Sequence, residues 1–123
     1  MERKISIKGE NMKIEIKRVK ITVTVPPENA KEVRDAICNA GAGIIGNYTY
    51  CTVSNECIGT FKPTEEANPY IGEKNKIEFV KEEKIETICD ISIAKEVIKK
   101  LREAHPYEEP AINIIPLIDE EDL

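Results

Sequence analysis

A chain of 123 residues has room for one core and too little length for two ordinary domains. With 41% hydrophobic and 33% charged residues it reads as soluble and globular, and no apolar run nears the roughly 18 residues of a membrane span. The net charge of -5, with acid gathered in the ending "DEEDL", leaves no basic stripe for a phosphate backbone, so neither nucleic acid nor membrane is expected as a partner.

The start, "MERKISIKGENMKIEIK", is charged throughout and lacks the apolar centre of a signal peptide, which makes the cytoplasm the expected location. Residues 1–18 are read as an amino-terminal extension or edge strand. In "VKITVTVP" Val19, Ile21, Val23 and Val25 share one face and Lys20, Thr22 and Thr24 the other, the pattern of a half-buried strand stopped by Pro26-Pro27. "ENAKEVRDAICNAG" places Ala30, Val33, Ile37 and Ala40 at helical spacing, with Gly41 as the terminating glycine.

Next, "GAGIIGNYTYCTVSNECIGTFKP" is glycine-rich at its entrance and then rich in β-formers, with "SNE" as the expected turn of a hairpin, roughly Tyr48 to Ser54 and Cys57 to Lys62. "TEEANPYIGEKN" reads as an exposed loop of the length that often carries function. "KIEFVKEEKIETICDIS" is a long strand with Ile77 and Phe79 at one end, Ile85, Thr87 and Cys89 at the other on the same parity, and a charged middle that suggests projection beyond the core. "SIAKEVIKKLREA" is a helix with Ser92 as its expected N-cap and an apolar stripe of Ala94, Val97, Ile98, Leu101 and Ala104. "AINIIPL" closes the pattern as a short strand.

This order, strand, helix, two or more strands, helix, strand, predicts an α+β ferredoxin-like βαββαβ sandwich over residues 19–118, with an added hairpin, an extra amino-terminal strand and an acidic tail at 119–123. Two helices cover one face of such a sheet. The other is expected to carry Tyr, Phe, Val and Ile and to need a cover, for which self-association is the simplest source.

Together, "GAGIIGNYTYCTVSNECIGTFKPTEEANPYIG" and "AHPYEEPAINIIPL" closely resemble the PII-like, CutA-like domain of the Nif-three (YqfO-type) family over roughly Ile21 to Leu117. In that family the domain is inserted within a larger dinuclear-metal protein and also occurs alone, and this chain looks like a free-standing version. The ending "LREAHPYEEPAINIIPL" also resembles CutA proteins, trimers of the same fold associated with divalent-cation tolerance. The resemblance implies a homotrimer that binds a small ligand or ion in clefts between subunits and acts as a sensor or adaptor. Two alternatives are a divalent-metal-binding protein of CutA type and an accessory subunit of a dinuclear-metal partner protein. The family's metal ligands lie in flanking domains that nothing here resembles, and the histidine usual after Gly46-Asn47-Tyr48 is replaced by Tyr50.

Three stretches are candidate sites. "GAGIIGNYTY" is either a backbone-lined pocket, with Gly43, Gly46, Asn47 and Tyr48 as ligand contacts, or a turn whose glycines take positive φ. "GTFKPTEEANPYIG" is either a surface loop or, by the family resemblance, a mobile loop at a subunit cleft lined by Thr60, Phe61, Lys62, Asn68 and Tyr70.

In "HPYEEP" the only histidine adjoins two carboxylates, but Pro106 and Pro110 impose extended geometry, which favours a stiff connector with Tyr107 packed at a subunit seam; the alternative is a ligand contact, with Tyr107 and Glu108 lining the subunit cleft. The cysteines show no CxxC, so a zinc ribbon or redox motif is not expected. The cysteines are read as reduced and mostly buried thiols, except that Cys51 and Cys57 could face each other across the expected hairpin as a disulfide, a soft-metal pair or two packed side chains; a divalent metal is the one cofactor candidate, with His105, Cys51 and Cys57 as ligands. No catalytic constellation is recognised, so enzyme activity is not expected.

Overall fold

The computed structural model describes residues 4–7 and 12–123. The part of the amino-terminal expectation that falls on residues 1–3 and 8–11 lies outside the described residues. Strands β1 (Lys4–Ile7) and β2 (Met12–Glu15) pair antiparallel as a two-stranded ribbon of their own, not as an edge of the main sheet.

The main unit runs β3 (Arg18–Val25), α1 (Ala30–Asn39), β4 (Thr52–Phe61), β5 (Glu78–Asp90), α2 (Ala94–Ala104) and β6 (Ile112–Pro116). Its sheet is antiparallel in the order β4-β5-β3-β6, the ferredoxin-like topology the element order predicts. Period-2 alternation puts Val19, Ile21, Val23 and Val25 of β3 and Ile85 and Cys89 of β5 on one face. Val33 and Ile37 of α1 and Val97 and Leu101 of α2 close over them to form the core.

Helix α1 ends as Gly41 predicts. Gly41 takes φ +109°, its N–H donates to the Cys38 carbonyl at 3.1 Å, and the Ala42 N–H donates to Ile37 at 3.1 Å. This paired arrangement satisfies the last carbonyls of a helix. Ser92 is not the N-cap of α2. It lies inside a 3-10 turn, Ile91–Ile93, that precedes the helix, and Ile93 takes the cap position without a side-chain bond.

The added hairpin is absent. Ser54, Asn55 and Glu56 continue β4 and pair with Ile85, Lys84 and Glu83 of β5. A two-residue hairpin turn needs positive φ, which "SNE", without glycine, does not readily supply. Cys51 and Cys57 therefore do not face each other. Five residues of nearly extended chain lie between them, which sets them about 20 Å apart.

The face without helices is also more polar than expected. Lys20, Thr22 and Thr24 of β3, Lys84 and Glu86 of β5 and Asn113 of β6 occupy it, with Val53 and Ile115 as exposed apolar members. Other large exposed apolar side chains sit where the β4–β5 ribbon passes beyond the helices: Ile58 is 70% and Phe79 72% exposed. The part of β5 that projects is its start, around the exposed Ile77 and Phe79, whereas the charged middle expected to do so includes the buried Glu82.

The acidic ending folds back onto the start of β3. Arg18 Nε and Nη2 donate to Asp119 Oδ1 at 3.0 and 2.7 Å, and Lys17 pairs with Glu121 and Asp122.

Candidate functional site

On the helix-free face, where the ribbon leaves the core, a cleft of about 690 Å³ opens between the sheet, the loop at 62–77 and the connector after α2. Of the residues singled out in the sequence, Cys57, Thr60, Phe61, Lys62, Tyr70, Tyr107 and Glu108 line it. Asn68 sits at its rim, where its N–H donates to Glu108 Oε2 at 2.8 Å. Loop and connector are thus joined.

The connector has the stiffness its prolines impose. His105 ends α2 with φ −80° and ψ 134°, the extended geometry that a following proline favours. Its ring is 6% exposed and both nitrogens are engaged. The Tyr107 N–H donates to Nδ1 at 3.1 Å, which leaves Nε2 to carry the proton and donate to the Thr24 carbonyl at 2.8 Å. Burial lowers the His105 pKa, against the opposing effect of the Thr24 bond. The ring is a neutral strut between α2 and β3, with no lone pair left for a metal in this geometry.

Tyr107 is the centre of an aromatic group, 4.9 Å from His105, 6.2 Å from Tyr70 and 6.4 Å from Phe61 between ring centroids. Its hydroxyl is buried beside Glu82 without a well-aligned hydrogen bond. Burial first, and then the neighbouring negative charge of Glu82, push its pKa far up.

Glu82, which sequence reasoning did not single out, lines the cleft and is only 5% exposed. It is directly opposite Cys57 in the register, and a Cβ on the adjacent Gly59 would overlap its Oε1. Only glycine lets the carboxylate lie over the β4 backbone there. The sequence shows "VKEEK" as a charged run, and nothing local distinguishes Glu82 from Glu83. Glu83 turns the other way and pairs with Arg34 of α1, whose Nη2 also donates to Ser54 Oγ at 3.0 Å.

The glycine-rich stretch is elsewhere. Gly43 donates to the Ile88 carbonyl at 2.8 Å and accepts from the Cys51 N–H at 2.8 Å, at the opposite end of β5 from the cleft. Gly46 and Asn47 form a tight turn closed by reciprocal bonds between Ile45 and Tyr48 at 3.0 Å, with Gly46 at φ +56°. The stretch adopts the positive-φ turn, and Gly43, Gly46, Asn47 and Tyr48 are not brought to the cleft. Tyr50, at φ 58°, lays its hydroxyl within 3.3 Å of Asp35 and Asn39 oxygens on α1.

The expected metal ligands are likewise dispersed. Cys57 Sγ contacts the Glu82 carbonyl at 3.6 Å and Cys51 Sγ the Thr49 carbonyl at 3.8 Å. Among the described residues no group of three or more His, Cys, Asp or Glu is placed to hold a metal ion.

With this geometry, the chain aligns over 101 residues with a GTP cyclohydrolase 1 type 2 homolog of Halalkalibacterium halodurans at 48% identity, and over 98 residues with its Bacillus subtilis counterpart at 47%. A crystal structure of a Bacillus cereus protein related to NIF3 superposes with a TM-score of 0.74 at 45% identity, covering 84% of this chain and 26% of that one. This chain carries a CutA-like domain of the NIF3-related family. It spans about a quarter of the length of the curated NIF3-related relatives it matches, 82% of its own residues against 27% of the first. No protein-family model matches it. The CutA likeness is one of fold: the Archaeoglobus fulgidus periplasmic divalent cation tolerance protein CutA superposes with a TM-score of 0.60 at 20% identity, over 81% of this chain and 83% of that one.

Proposed function

We propose that this NIF3-related domain is a small-ligand or ion-binding sensor or adaptor that works as a homotrimer, with the cleft beneath the 62–77 loop as its site. The observation that carries the reading is the Asn68–Glu108 bond, which ties that loop to the connector across a cleft whose lining includes the buried Glu82. An occupant bridging loop and connector would fix the loop and so change the surface presented to a partner. Self-association is supported by the exposed Ile58 and Phe79 on the projecting ribbon and by two open sheet edges, β4 and β6.

Sedimentation at micromolar concentration tests the assembly, with a trimer expected and a stable monomer opposing it. Hydrogen exchange across residues 62–77, with and without a ligand found by thermal-shift screening, tests the site. Slower exchange on binding is expected; unchanged exchange would remove the sensor role.

A CutA-type role in divalent-cation binding is a second reading, favoured by the presence of Cys57 in the cleft lining. Titration with copper and zinc separates it, for equal binding by native protein and Cys57→Ala removes Cys57 from that role.

A further inference from the structure

The most unusual group in the molecule is the Glu82 carboxylate. The residue is only 5% exposed, and among the described residues it has no ion-pair partner; the one polar side chain set against it is the Tyr107 hydroxyl. A buried charge normally has a partner, because taking it out of water is costly. Of the two lysines that line the cleft, Lys84 pairs with Glu86 at 3.3 Å and Lys62 makes no ion pair with Glu82. The Tyr107 hydroxyl is buried close beside the carboxylate but makes no well-aligned bond to it, and a neutral phenol does not balance the charge. Gly59 is the residue that makes room for the carboxylate. A carboxylate without an ion-pair partner therefore lines a cleft whose other lining residues include Phe61, Tyr70 and Tyr107.

We infer that the cleft is a recognition site for an organic cation, an ammonium or guanidinium head, with Glu82 as its counter-ion and the rings of Tyr107, Tyr70 and Phe61 as its wall. This rests on the cleft being the ligand site proposed above and adds the chemical class of the ligand. A cationic N–H donor satisfies the carboxylate, while an aromatic wall attracts the same charge through its ring faces. A bare divalent ion fits less well: the cleft is about 690 Å³, its wall is largely apolar, and the donors do not cluster at ligating spacing among the described residues. Of the other carboxylates that line the cleft, Glu108 accepts the Asn68 N–H and the exposed Glu109 lies 4.0 Å from Arg102, which leaves Glu82 as the buried anion that selects the head group.

The test uses the full chain and a matched pair of probes, butylguanidinium and the near-isosteric neutral butylurea, followed by NMR shifts of Phe61, Tyr70 and Tyr107. Butylguanidinium is expected to bind at least tenfold more tightly than butylurea, and Glu82→Gln to remove most of that preference. Equal binding of the two probes overturns the inference, and this comparison on native protein decides the case even if the variant fails to fold. A parallel screen with inorganic phosphate and neutral sugars separates the two levels. If those move the three rings and butylguanidinium does not, the cleft remains a ligand site and the cationic class is wrong; if no probe moves them, both readings fail. Dissociation of a native oligomer by Glu82→Gln would identify the partner of Glu82 as a second copy and also overturn the inference.

Discussion

The Asn68 N–H and the Glu108 carboxylate, forty residues apart in the chain, meet at 2.8 Å and bind the long loop to the connector. A charge-assisted bond of this kind at an exposed position is worth about 1 kcal/mol or less. Glu108→Ala should therefore leave global stability nearly unchanged while accelerating hydrogen exchange and proteolysis within residues 62–77. Mass-resolved exchange reads this directly; unaltered loop protection would show that the bond does not hold the loop.

Gly59 and Glu82 compete for one volume. Gly59→Ala forces the flexible end of Glu82 to move, which puts the loss at the lower end of the about 1–3 kcal/mol that overpacking costs. The double variant Gly59→Ala, Glu82→Ala should recover much of that loss, because the new methyl then meets no carboxylate. Urea unfolding of the two single variants and the double variant measures the coupling, and strictly additive losses would contradict this contact.

The neutral His105 strut predicts a pH dependence. Burial lowers its folded pKa below the ordinary 6.5, so the unfolded chain takes up a proton first as pH falls. The stability contribution is complete above about pH 6.5 and declines as pH falls from there toward the lower folded value. Urea midpoints should drop between about pH 7.5 and 5.5 in native protein and drop less in His105→Gln, which cannot titrate there. Parallel curves for the two proteins would contradict the assignment.

At the carboxyl end, Asp119 accepts two bonds from Arg18. Arg18 is partly exposed, so solvent screening limits the expected loss in Asp119→Ala to about 1 kcal/mol. The thermal midpoint should fall by a few degrees, and the difference from native protein should shrink at high salt.

The sequence alone determined the elements whose signal is local. Alternation specified β3, Gly41 specified the end of α1, and the prolines of "HPYEEP" specified an extended connector, because each acts through the φ and ψ of its own neighbours. The same local reasoning misplaced a turn at Ser54-Asn55-Glu56, where cross-strand pairing with β5 holds the chain straight. It also spread the candidate site over two regions, since the turn at Gly46 and the cleft at Tyr107 lie at opposite ends of the sheet. Only the tertiary structure decided that Glu82, rather than its neighbour Glu83, is the buried carboxylate. That choice depends on strand parity and on the missing side chain at Gly59, one strand away and 23 positions earlier, counting from 59 to 82. Contacts of that range are set by register, and no local feature of "VKEEK" encodes them.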